Sequence, residues 1–63
     1  MNDVRITTKE LSSLSDLLGM EANLVAKYRQ YATDTNDATL KSLFEQTANK
    51  HQRHLDELWT NLK

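Results

Sequence analysis

The sequence has no cysteine, no proline and a single glycine, Gly19. Without cysteine, no disulfide can staple a small core and no thiolate can hold zinc. With proline absent and glycine nearly so, nothing punctuates the chain in the manner of a multi-strand fold. An excess of either charge is also missing: eight basic and nine acidic residues leave a net charge of −1. No basic stripe is available to neutralise a run of phosphates, so a nucleic-acid partner is not expected. No segment approaches the roughly 20 apolar residues of a membrane span. The opening MNDVRITTKE carries no apolar run of a secretory signal, so cytoplasmic synthesis is the expectation.

What remains is helical. The 63 residues make one domain, taken as 1–63, and a single core of that size is marginal. Such chains lean on disulfides, a metal or oligomerisation, and the first is excluded. Thr7-Thr8-Lys9-Glu10 reads as a capping box, with Thr7 and Glu10 exchanging bonds at a helix start. From there Leu11, Leu14, Leu18, Glu21, Val25, Tyr28 and Ala32 alternate spacings of three and four, the helix period. Leu17, Leu24 and Tyr31 widen this stripe on one shoulder, which suits a bundle better than a two-stranded coiled coil.

Asp34-Thr35-Asn36-Asp37 is the turn-like stretch, and Asp37 or Asn36 can cap a second helix. The second series runs Leu40, Phe44, Thr47, His51, His54, Leu58, widened by Leu43, Ala48, Leu55 and Leu62. The reading is therefore all-α: helix 1 over about 8–33 and helix 2 over about 38–62, folded as an antiparallel two-helix hairpin. Gly19 falls on the outer face of helix 1. Val4 and Ile6 precede the cap and would staple the N-terminal arm, or leave it frayed. Two wide stripes cannot cover each other within one hairpin, and Trp59 lies beyond the stripe, beside Leu55 and Leu62. Two hairpins dimerising into a four-helix bundle satisfy both. The expected partner is thus the chain itself, as a homodimer or a higher oligomer.

Three positions on the core faces are not apolar: Glu21, His51 and His54. In a hairpin turning near residues 35 and 36, facing residues have numbers summing to about 71, the geometry of a short αα connection. Glu21 then falls level with Lys50 and His51, and His54, at i+3, shares the face of His51. One reading is a hydrogen-bonded cluster that fixes helix register or dimer orientation. The other is a metal site for zinc, iron or manganese, with Glu21, His51 and His54 as ligands. Against it, Ala48 stands where a Glu-x-x-His motif ahead of His51 would need glutamate. The cluster reading is the one preferred, and no cofactor is required by it. Lys50, Gln52 and Arg53 are expected to point outward. No nucleophile is positioned by a turn or glycine-rich loop, so no catalytic residue is assigned and an enzyme is not the expectation.

These residues carry a resemblance. K-E-L-S-S-L-S-D-L-L-G-M-E (9–21), Y-R-Q-Y-A (28–32), D-A-T-L-K-S-L-F (37–44) and K-H-Q-R-H (50–54) resemble the small spore-coat proteins of the Coat F type, from endospore-forming bacteria. The resemblance spans about Thr8 to Leu62. It implies a ferritin-like helical bundle, a structural role in sporulation in or near the spore coat, and other coat proteins as further partners. It implies no catalytic activity.

Overall fold

In a computed structural model, which describes residues 6–61, the chain forms two α-helices: α1, Thr8–Asp34, and α2, Ala38–Asn61. The two pack against each other along their length as an antiparallel hairpin, and no strand occurs among the described residues. Val4 and Leu62 lie outside the described residues, and Ile6 is exposed.

Both ends of the hairpin follow local chemistry. Thr7 is the N-cap of α1: its Oγ1 accepts from the Glu10 amide at 3.0 Å, and its own amide donates to Glu10 Oε1 at 3.0 Å. The expected capping box is complete, and two otherwise orphaned donors are satisfied. At the turn, Thr35 N–H donates to Tyr31 O at 3.1 Å and closes α1. Asp37 Oδ1 then accepts from the Leu40 amide at 2.9 Å, making Asp37 the cap of α2. Lys41 reaches back from the first turn of α2 and donates from Nζ to Ala32 O at 2.9 Å. It satisfies a terminal carbonyl of α1 and neutralises the negative end of that helix.

From Leu14 onward the α1 stripe is as expected, with Glu21, Val25 and Ala32 buried along it and Leu14, Leu18 and Tyr28 half-buried, but Leu11, expected at its start, is 51% exposed. The α2 stripe is turned by one row. Ala48, expected on the shoulder, is fully buried at 0% exposure, while Leu40, expected at the centre, is 44% exposed. The seam of α2 therefore runs Phe44, Ala48, His51, Leu55, with Ala48 as its most buried residue. The rows through Leu40 and through Ala48 are both spaced for a helix. Close approach of the backbones favours the one with the smallest side chain at the contact.

The hairpin is a thin slab, 48 × 21 × 10 Å between Cα extremes, with a radius of gyration of 14.9 Å. A compact chain of this length would have a radius near 11 Å, from the usual size scaling. No described helix is long and apolar enough to cross a membrane.

Two substitutions of opposite sign test this packing. A Cβ added at Gly19 meets nothing within 4 Å, so Gly19→Ala should stabilise the hairpin by up to about 1 kcal/mol through helix propensity. Ala48→Leu, by contrast, overfills the closest approach and should cost about 1–3 kcal/mol. Denaturant melts of the two variants check both, and equal effects at the two sites would contradict the seam. The cap supplies a pH test. Hydrogen bonds from the Thr7 backbone, and then from its side chain, hold the Glu10 carboxyl below its ordinary value of 4.5. A depressed folded pKa means the contribution is present above 4.5 and lost as pH falls through the folded value. Glu10→Gln should therefore flatten the acid limb of stability below about pH 4.5 in thermal melts.

Candidate functional site

Glu21 is the middle residue of α1 and sits on its seam, where a leucine would be the ordinary choice. It is 5% exposed, and it is the one buried charged residue among those described. Burying a lone carboxylate costs several kcal/mol unless it is paired and hydrogen-bonded. Here both oxygens are held. His51 Nδ1–H donates to Oε1 over 2.8 Å, and His54 Nδ1–H donates to Oε2 over 3.0 Å.

The two imidazoles come from consecutive turns of α2, and i, i+3 spacing brings them to one face. Their side chains are unequally covered, 22% exposed for His51 and 45% for His54. The His51 ring stacks on Tyr28, with interplanar angle 10° and centroids 6.3 Å apart. His54 meets His51 edge-on, with centroids 5.6 Å apart. Tyr28 also packs on Phe44, with Tyr31 against both, so an aromatic row leads from the turn to the layer. No described buried side-chain polar atom lacks a partner.

All three residues expected in the layer are brought together, within about one residue of the expected register. Lys50 and Arg53 are exposed, as expected. Gln52 is not fully outward: it is half-buried and donates from Nε2 to Asp56 Oδ1 at 3.0 Å, because the turned α2 seam carries it towards α1. Lys41, which ties the two helices at the turn, had no place in the sequence reading.

The donor set can be tested against a metal. One ligand atom from each of Glu21, His51 and His54 lies within 4.8 Å of the others, so the group could hold an ion. Nitrogen and oxygen donors at 2.0–2.2 Å around a tetrahedral ion sit about 3.3 Å apart. The observed contacts of 2.8 and 3.0 Å are hydrogen-bond distances instead. Three donors leave a fourth position for water or for a group from elsewhere, and the second carboxylate of a di-metal motif is missing, since Ala48 stands in its place. As arranged, the cluster gives both oxygens of a buried carboxylate a hydrogen-bond partner and pins the two helices at one level.

A scan of protein-family models, a search of curated proteins and a search of solved structures return no match to this chain.

Pairing in this layer predicts a contrast. Glu21→Leu alone strands two imidazoles at the interface and should cost about 1–3 kcal/mol, the price of unmade hydrogen bonds at a part-buried site. Replacing Glu21, His51 and His54 together with leucine should be neutral or stabilising. Denaturation midpoints measure both, and a triple variant less stable than Glu21→Leu would contradict the pairing.

Proposed function

We propose that this chain is a structural, self-assembling module: a helical hairpin that completes its core with a second copy and performs no catalysis of its own. One observation carries the reading. Among the described residues only Val25, Ala32 and Ala48 are buried hydrophobics, no large side chain is fully buried, and eight large hydrophobics are exposed. The chain presents 5224 Å² to solvent, against about 4,200 Å² for a compact monomer of 7.3 kDa by the usual mass scaling. Surface of that kind is what pairing of two hairpins into a four-helix bundle removes. The spore coat is the setting proposed by the Coat F resemblance, with other coat proteins as neighbours. Sedimentation equilibrium should show a dimer or larger assembly, with a melting temperature that rises with protein concentration by mass action. A stable folded monomer at micromolar concentration would overturn the reading. A tagged copy made in a sporulating endospore-former should collect at the coat, and diffuse cytoplasmic signal would remove that setting.

The grouping of Glu21, His51 and His54 favours a second reading, a ferritin-like metal-binding protein taking zinc, iron or manganese. The ion would be held by these three residues and would supply a Lewis-acid centre. Protons compete with metal for imidazole, so the two readings part with pH. Under the structural reading, added metal or chelator leaves the melting temperature unchanged throughout. Under the metal reading, metal raises it at a pH of about 8 but not at about 5, and Glu21→Ala abolishes the rise.

A further inference from the structure

The self-assembling reading leaves open which face of the slab the second copy covers. The two faces differ. Residues seven apart on a helix fall in one row, give or take about 20°. Beside the seam on one side lie Leu17, Leu24 and Tyr31 of α1 and Leu40, Thr47 and His54 of α2. That these rows share a side follows from Leu17 and His54, which line one open groove beside Glu21. Met20 and Leu43, both exposed, widen this face by a further turn-step on each helix. Beside the seam on the other side lie Ser15, Ala22 and Arg29 of α1 and Glu45, Gln52 and Trp59 of α2. That side is small, polar or charged except for Leu11 and Trp59, which are 51% and 56% exposed near the open end.

We propose that a second copy docks on the first face, over the rows Leu17–Leu24–Tyr31 and Leu40–Thr47–His54, so that the Glu21–His51–His54 clusters of the two copies meet in one central layer. This rests on the self-assembling reading and adds the surface and the shared layer. Area supports the occupant. The chain exposes about 1,000 Å² more than a compact monomer should, by the same mass scaling. A standard interface takes about 800 Å² from each partner. A second copy is also the occupant that a self-complementary apolar face selects, because a two-fold interface uses one patch twice. Overlap decides the layer. Glu21 is the middle of α1, so two slabs that overlap fully under two-fold symmetry set centre on centre. His54, the half-exposed member of the cluster, then enters the covered region. Each carboxylate keeps its two imidazoles, and the outer edges of the rings meet the partner copy's layer instead of bulk water.

The absence of native cysteine makes the face directly readable. Thr47 and Gln52 are both half-buried in the single hairpin, one on each side of the seam. Thr47→Cys and Gln52→Cys are labelled with a maleimide across the concentration range in which sedimentation shows wild-type association. Thr47→Cys should label about tenfold more slowly in the associated state, following the fraction assembled, while Gln52→Cys changes by less than about twofold. Leu43→Glu, at an exposed position that leaves the hairpin helical by circular dichroism, should weaken association about tenfold or more, and Trp59→Glu by less than about threefold. Association with Gln52→Cys protected and Thr47→Cys free would overturn the face and leave self-assembly standing. Equal reactivity of both at every concentration, in a chain that still associates, would overturn it too. A wild-type chain that never associates would overturn the self-assembling reading itself.

Discussion

The structure turns on one carboxylate taken out of water. Glu21 lies at the middle of α1, on the line where α2 makes contact, and it is tolerable there because His51 and His54 each give it a hydrogen bond. An apolar seam by itself admits sliding by a turn, since leucine against alanine differs little from leucine against valine. A buried acid does not, because any other register leaves it without partners. The same pair of bonds fixes the rotation of α2 about its own axis. The two imidazoles, from consecutive turns, straddle the contact line: His51 lies on the seam with Ala48, and His54 lies in the neighbouring row with Leu40, which is 44% exposed.

From that rotation the exposed surface follows. A pair of helices has a single line of contact, and each helix here is apolar over more than that line. Fixing His51 and His54 toward Glu21 places Leu40 and Thr47 on the side of Leu17, Leu24 and Tyr31, and places Glu45 and Gln52 on the other. The hairpin is thereby given one apolar and one largely polar face. The buried layer and the open face are consequences of one choice of residues. The N-cap at Thr7 and the Lys41 bond to Ala32 finish the two ends, so little in the single hairpin is left unsatisfied except apolar area.

Much of this was legible in the sequence because it is local. The Thr7–Glu10 box, the Asp37 cap and the three-four spacing of α1 depend on residues within a turn or two of one another. The Glu21–His51–His54 layer was legible for another reason: with a short turn, facing positions follow from arithmetic. The α2 seam was not. The rows through Leu40–Thr47–His54 and through Phe44–Ala48–His51–Leu55 both carry helix spacing, and hydrophobicity favours leucine over alanine. What separates them is how closely two backbones approach at Ala48, a property of the pair and not of either helix. Lys41 was missed for the same cause, since its partner is a carbonyl of the other helix that no pattern of side chains reveals. Gln52 was displaced outward by the same one-row error.

The central claim is that a single carboxylate accepts an Nδ1–H from each of two imidazoles. Long-range proton–nitrogen correlation spectra of the protein labelled with nitrogen-15 at histidine observe those nitrogens directly. The account predicts that Nδ1 of His51 and of His54 both carry a proton at neutral pH, and that Glu21→Gln shifts both signals together. Protons found only on Nε2, with bare Nδ1 in either ring, would contradict it, because a carboxylate has no hydrogen to give in return.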